Sequence, residues 1–185
     1  VSDLTRNLVI NKYGIDPAKV VTDHNAVDFS GRENIEEERG VKDKAVTFLG
    51  RITFQKGPEY FLDAAAKRLQ RPEHVRFVMA GSGDMMNRAI RQVARLGIAD
   101  RFHFTGFLRG AEVQKMFALS DVYIMPSVSE PFRISPLEAM RTGVPSIISH
   151  PSGAAEVLQY ALKVAFWAVD ALADAISALV RSPAL

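Results

Sequence analysis

The stretch AVTFLGRITFQKGPEYFLDAAAKRL, residues 45–69, decides the fold class. Its first five residues are mostly apolar or β-branched, which predicts a short strand that stops at Gly50. From Glu59 to Leu69 the apolar residues recur at helical spacing, which predicts an amphipathic helix. A short strand, a glycine-bearing turn and a helix in this order form the repeating unit of an α/β protein.

The same alternation continues through the chain. Further strands are predicted at 75–80, 101–105, 121–125 and 146–149, and further helices at 85–96, 112–119, 136–141 and 171–180. Strand–helix units joined by short loops predict a Rossmann-like fold, in which a parallel sheet is flanked by helices on both faces. Ligands of such sheets bind beyond the carboxyl ends of the strands, where several of the glycine-bearing turns are predicted to lie.

The first part of the chain follows a different pattern. A helix is predicted from Ser2 to Tyr13 with Ser2 as its N-cap, and a short strand is predicted at 19–22. Residues 30–44 are polar and show no apolar period, so we expect a loop or an exposed helical turn there. The chain begins at Val1 without an initiator Met or a signal-like segment, which suggests a cut inside a longer protein.

Composition excludes several classes of protein. Lys and Arg number 23 and Asp and Glu number 21, a balance that does not favour nucleic acid or an anionic membrane as the main partner. The sequence contains no cysteine, which rules out disulfides and thiol chemistry and fits a cytoplasmic location. No apolar run is long enough to predict a membrane span, and no pair of histidines has metal-type spacing, so no metal site is predicted.

Two glycine-bearing turns are candidate parts of a ligand site. Gly50 and Arg51, followed by Lys56, place two cations near a strand end and a helix start, which suits a diphosphate. On these residues alone, solvated loop charges are the simpler interpretation. The turn 81–83 (Gly-Ser-Gly) would let the backbone approach a ligand, but a tight turn with Asp84 as the helix N-cap explains it equally well. Neither turn has the three glycines of a dinucleotide site, which disfavours an oxidoreductase.

The third candidate is SEPFRISPLEAM, residues 129–140. Glu130 is predicted on the loop after the fourth strand and Glu138 in the first turns of the next helix, so both carboxylates can face one cleft. Carboxylates accept hydrogen bonds from sugar hydroxyls, which suits a hexose and a ribose. The alternative is that Glu138 complements the helix N-terminus and Glu130 is exposed. Phe166, Trp167 and His103 are expected to be packed.

These segments occur together and in an order that resembles the retaining glycosyltransferases of the glycogen-synthase-like family. The resemblance rests on Asn25 to Asp28, the two turns above, 104–107 (Phe-Thr-Gly-Phe), 130–140, and 143–145 (Gly-Val-Pro). It implies one half of a GT-B fold: residues 1–30 as the interdomain link with a helix from the end of the preceding domain, and 31–185 as the domain that binds the nucleotide-sugar donor. The missing N-terminal acceptor domain would be a partner, and its removal predicts no turnover alone and self-association through the exposed face.

The resemblance also implies roles for individual residues. Arg51 and Lys56 would bind the donor diphosphate, Glu130 the sugar and Glu138 the ribose. The backbone of Phe132, Arg133 and Ile134 would approach the sugar and phosphate. The turns of Gly50, of Gly81, Ser82 and Gly83, and of Phe107 and Leu108 would lie near the donor and its base. Family members need no metal or other cofactor, because the leaving diphosphate is stabilised electrostatically.

The chain departs from the family pattern in several places. Arg133 stands where the family usually has Gly, and its side chain is expected to obstruct the donor. Ala26 replaces a usual Gly, and Ala154, Ala155, Ala165 and Ala168 stand where larger or polar residues are expected. The alternative hypothesis is therefore an engineered or degenerate domain that keeps the fold as a binding or scaffold module without a working donor site.

Overall fold

Parallel pairing joins six strands into one sheet in the computed structural model, which describes residues 2–28, 43–71, 74–150 and 152–182. The strands are β1 (Lys44–Leu49), β2 (Val75–Ala80), β3 (Phe102–Gly106), β4 (Val122–Met125), β5 (Ser146–Ser149) and β6 (Leu162–Val164). Their order across the sheet is β3-β2-β1-β4-β5-β6, and each neighbouring pair is parallel. The order reverses between β1 and β4, which makes their carboxyl ends the expected place for a ligand.

Helices cover both faces of the sheet, which confirms the predicted fold class. They are α1 (Asp3–Tyr13), α2 (Pro58–Leu69), α3 (Met86–Arg95), α4 (Ala111–Ala118), α5 (Ser135–Arg141), α6 (Ala154–Val157) and α7 (Val169–Arg181), with 3₁₀ turns at Pro17–Lys19, Phe54–Lys56 and Ala99–Arg101. α2, α3 and α7 contribute to one apolar cluster, and α4, α5 and α6 contribute to a second. Each predicted helix is present within about two residues of its expected bounds.

Alternation along the central strands divides the core between these two clusters. In β4, Val122 and Ile124 belong to the first cluster, whereas Tyr123 and Met125 belong to the second. Successive side chains of a strand point to opposite faces, so a strand that is buried on both faces is apolar throughout. Phe61 of α2 is fully buried in the first cluster and anchors that helix on the sheet.

Four local expectations were wrong. No strand forms at 19–22; Asp16 caps the 3₁₀ turn Pro17–Lys19, and the Val20 carbonyl accepts a hydrogen bond from the Arg6 guanidinium instead of from a neighbouring strand. Asp84 does not cap α3, whose N-cap is Met85 without a side-chain hydrogen bond. Trp167 is 63% exposed and His103 is also exposed, so neither is packed in the core. Most of the predicted loop at 30–44 lies outside the described residues.

Candidate functional site

A cleft with a volume of about 880 Å³ opens at the carboxyl ends of the strands. The turns after β1, β2 and β3 form its walls together with α4, α5 and the segment before α5. Apart from Arg51, Lys56 and Glu130, which are the predicted catalytic residues, ten residues are predicted to bind the donor; all ten line this cleft, and Arg51 lines it too. The ten are Gly50, Gly81, Ser82, Gly83, Phe107, Leu108, Phe132, Arg133, Ile134 and Glu138. The fold therefore gathers segments that are distant in the sequence into one site.

The glycines of the turn after β2 are required by contact with the turn after β1. The Ile52 amide donates to Ser82 O at 2.9 Å and the Gly50 amide donates to Ala80 O at 2.9 Å, so the turns are hydrogen-bonded side by side. A Cβ at Gly81 would overlap the carbonyl oxygen of Gly50, and one at Gly83 would overlap that of Ile52. The sequence suggested close approach to a ligand, and the structure adds this separate reason for glycine.

Lys56 and Glu130 form a buried ion pair beside the cleft. Lys56 Nζ donates to Glu130 Oε2, and the two side chains are only 8% and 5% exposed. Burial lowers the pKa of Lys56, the hydrogen bond that Lys56 donates to Glu130 opposes this lowering, and the positive charges of Arg133 and Arg51 add to it. Two alternatives weighed from the sequence, a solvated Lys56 and an exposed Glu130, are therefore wrong. Within the described residues, neither side chain of the pair contributes to the lining of the cleft.

The side chain of Arg133 lies between this ion pair and the cleft. Its Nε donates to Ser135 Oγ at 2.9 Å, and Ser135 Oγ lies 3.0 Å from the hydroxyl of Tyr123. Burial raises the pKa of the Tyr123 phenol to about 12, so this hydroxyl is neutral at ordinary pH. Arg133 Nη1 lies 3.8 Å from Glu130 Oε2, and Nη2 lies 2.9 Å from the position that a Cβ on Gly50 would take. The guanidinium is therefore held in place and faces the end of β1.

Other residues of the cleft offer aromatic and polar contacts. Phe107 is 63% exposed, and the Arg109 guanidinium lies 5.2 Å from the centre of its ring. Glu138 lies in the first turn of α5 and is partly exposed. Gln114 of α4 and Arg141 of α5 also line the cleft and were not predicted. No motif marks them in the sequence, because only the packing of α4 and α5 brings them to this edge of the sheet.

A cluster of polar groups around Glu156, outside the cleft, fixes α1 to the rest of the domain. The amides of Asp3 and Leu4 donate to the two carboxylate oxygens of Glu156 at 2.8 and 2.7 Å, and His24 Nε2 lies 3.1 Å from the same group. Burial would raise the pKa of Glu156, but these hydrogen bonds together lower it. The side chains of Asp3, His24 and Glu156 are close enough to hold a cation, although Glu156 already uses both oxygens to cap α1.

The chain has a Rossmann-like α/β fold with a cleft at the switch point of its sheet. The chain belongs to the family described as "Glycosyl transferases group 1", whose model matches residues 43–182. This is a family of GT-B type. No helix in the described part of the chain is long and apolar enough to cross a membrane.

Individual relatives agree with this assignment. An uncharacterized glycosyltransferase from Methanocaldococcus jannaschii is 38% identical over 138 residues, which are 72% of this chain and 35% of the relative. The solved C-terminal domain of a group 1 glycosyltransferase from Francisella tularensis has the same fold, with a TM-score of 0.69, 22% identity and coverage of 75% of this chain and 76% of that one. The Anabaena protein HepE, solved with UDP and glucose, has a TM-score of 0.68 at 25% identity over 76% of this chain and 39% of its own.

The curated relatives are much longer than this chain. The match covers 35%, 41% and 30% of the length of the first three of them. The chain therefore matches less than half of the length of each of these relatives.

Proposed function

We propose that this chain is the domain of a retaining glycosyltransferase that binds the nucleotide-sugar donor. The observation that carries the proposal is the cleft at the switch point of the sheet, because it combines an exposed cation (Arg51), a carboxylate (Glu138) and an exposed aromatic ring (Phe107). Arg51 suits a diphosphate, Glu138 a ribose and Phe107 the face of a base. The Anabaena relative solved with UDP and glucose supports the same class of ligand.

The proposed donor needs no metal, because the cations of the site can neutralise its diphosphate. Glu130 would contact the donor sugar and Lys56 the phosphate only after the side chain of Arg133 has moved, since neither residue lines the cleft as it stands. The acceptor would bind to a second domain of a longer protein, which fits the greater length of the relatives. We therefore expect the purified chain to catalyse no transfer. We also propose that the chain self-associates and that it is located in the cytoplasm, which the lack of cysteine fits.

Isothermal titration calorimetry with UDP, GDP, ADP and their glucose or mannose conjugates, in the presence of EDTA, tests the proposal. We expect one nucleotide to bind, and Arg51→Gln to weaken it about tenfold or more through loss of charged hydrogen bonds. Arg95→Gln is the matched control, because Arg95 is exposed near the end of α3 and does not line the cleft. Binding that requires a divalent metal would contradict the metal-free mechanism, and transfer by the chain alone would contradict the need for a second domain.

One observation favours a second candidate, a module that has kept the fold without a working site. The guanidinium of Arg133 occupies space at the cleft wall next to Gly50. This candidate predicts that neither the wild type nor Arg133→Gly binds any of the nucleotides. Binding by either protein excludes it, and the same titrations therefore separate the two functions.

A further inference from the structure

The side chain of Arg133 is a cation of the cleft, and the resemblance treats this side chain only as an obstacle. In the described part of the chain, the arginines that line the cleft are Arg51, Arg133 and Arg141. Arg141 donates to the Asp28 carbonyl at 3.1 Å and comes from the last turn of α5. The Arg133 guanidinium instead approaches Gly50, which follows β1 and precedes Arg51 in the sequence. The Arg133 guanidinium thus lies beside the turn that carries Arg51, and both residues line the cleft.

The position of Arg133 is set by a chain of hydrogen bonds. Ser135 Oγ accepts from Arg133 Nε and lies within hydrogen-bond distance of the fully buried Tyr123 hydroxyl. Ser135 itself is 5% exposed. Because Nε is used for this support, Nη1 and Nη2 keep the paired donors that bind an oxyanion in bidentate fashion. Within the described residues, the only group near these nitrogens that could pair with them is Glu130, at 3.8 Å, which is beyond hydrogen-bond distance.

The balance of charge in the cleft indicates which kind of ligand Arg133 would bind. Lys56 and Glu130 neutralise each other and do not line the cleft, so the positive charge that the sequence assigned to Lys56 is not available there. At the turn after β1, Arg51 would supply one positive charge to a diphosphate that carries about two negative charges. Arg133 supplies the second positive charge on the cleft side of the ion pair. Arg51 and Arg133 together then match the charge of the diphosphate.

We propose that Arg133 binds the donor diphosphate together with Arg51, in the place where Lys56 is held back by Glu130. This inference rests on the proposed function and adds a residue to its site. It reverses the expectation that the large side chain obstructs the donor, because the guanidinium is a ligand for the phosphate oxygens. The sugar carboxylate of an acidic donor is the other oxyanion that the same group could bind, and the experiment separates the two.

Three substitutions at one position separate charge from bulk. Arg133→Gln keeps most of the bulk and removes the charge, Arg133→Lys keeps the charge without the planar fork, and Arg133→Gly removes both. Each is titrated calorimetrically with UDP, UDP-glucose and UDP-glucuronate at one salt concentration, or with the GDP or ADP series if that nucleotide binds the wild type instead. Arg95→Gln controls for a change in net charge, and thermal unfolding followed by circular dichroism verifies that each variant is folded.

We expect Arg133→Gln to weaken the nucleotide diphosphate and both of its sugar conjugates equally, by about 10- to 100-fold, with a partial recovery in Arg133→Lys. Arg133→Gly should change affinity in the same direction as Arg133→Gln. Equal affinity of wild type and Arg133→Gln, or tighter binding by Arg133→Gly, would overturn the inference while leaving the proposed function intact. Loss confined to UDP-glucuronate would assign Arg133 to a sugar carboxylate and overturn the diphosphate role. A wild type that binds no nucleotide contradicts the proposed function itself.

Discussion

The substitution Glu130→Gln tests the buried ion pair most directly. It leaves the Lys56 ammonium, whose side chain is 8% exposed, without the carboxylate that accepts its hydrogen bond. Breaking a buried pair from one side costs about 3–5 kcal/mol, because the remaining charge is desolvated and uncompensated. That loss is a large part of the 5–15 kcal/mol by which a domain is typically stable, so it is measurable by urea unfolding followed by circular dichroism.

The effect has a definite pH dependence and a definite asymmetry. Removing the carboxylate lowers the folded-state pKa of Lys56 further, and a lysine with a lowered pKa disfavours the folded state while it is protonated. The loss caused by Glu130→Gln should therefore be full at pH 7 and smaller near pH 10. Lys56→Met should cost less than Glu130→Gln, because Arg133, at 3.8 Å, remains to compensate Glu130.

Two comparisons make this prediction refutable. The double variant Lys56→Met with Glu130→Leu should recover most of the stability, since well-packed apolar residues replace buried ion pairs at little cost. Lys67→Met is the matched control, because the Lys67 and Asp170 side chains of its ion pair are 44% and 81% exposed, and such pairs contribute at most about 1 kcal/mol. A loss of less than about 1 kcal/mol in Glu130→Gln would mean that Lys56 reaches water, and the argument from burial would fail.

Three further predictions concern the turns, the tyrosine and α1. In urea unfolding, Gly81→Ala should lower the free energy of unfolding by about 1–3 kcal/mol more than Gly106→Ala does. Both glycines have a positive φ, but only a Cβ at Gly81 would overlap backbone, and equal losses would refute this reasoning. Between pH 10 and 12, the wild type should lose about 3 kcal/mol of stability relative to Tyr123→Phe, because the Tyr123 phenol ionises at lower pH in the unfolded chain than in the folded one. Parallel stability curves of the two proteins against pH would contradict the raised pKa. Glu156→Gln should lower the free energy of unfolding by about 1 kcal/mol and speed hydrogen exchange at the start of α1. This loss of stability should shrink as the pH falls through the lowered pKa of Glu156, and a loss that is constant down to pH 2 would exclude the charged cap.

The central strands and the long helices could be predicted because their local pattern and their burial agree. β1, β2, β4 and β5 are short, mostly apolar runs bounded by glycine or proline or by polar turns, and most of their residues are buried. β6 was missed because Leu162–Val164 is a three-residue edge strand with a lysine at its centre. α6 was missed because a single turn of four residues has no period to detect.

The site divides in the same way between what local sequence determines and what packing determines. Eleven predicted residues line the cleft, because glycine turns and strand ends lie at a known edge of an α/β sheet. The burial of Lys56 could not be predicted, since its partner, Glu130, is 74 residues away in the sequence. The direction of the Arg133 side chain also depends on Ser135 and Tyr123, which only the folded chain brings together.

The cost of moving Arg133 connects the proposed sugar contact of Glu130 with the proposed phosphate contact of Arg133. In the described part of the chain, the guanidinium is held by the hydrogen bond from Nε to Ser135 Oγ, and a bond of this kind contributes about 1 kcal/mol net. A diphosphate beside Arg51 offers the terminal nitrogens several charged acceptors, which outweigh that loss. A bound diphosphate would therefore draw the guanidinium away from Glu130, and the carboxylate behind it would become accessible to a sugar hydroxyl. If binding follows this order of events, Arg133→Gln should weaken the binding of UDP and of UDP-glucose to the same degree. Glu130→Gln in a folded sample should weaken the binding of UDP-glucose more than that of UDP. Equal effects of Glu130→Gln on both ligands would mean that the carboxylate never reaches the sugar.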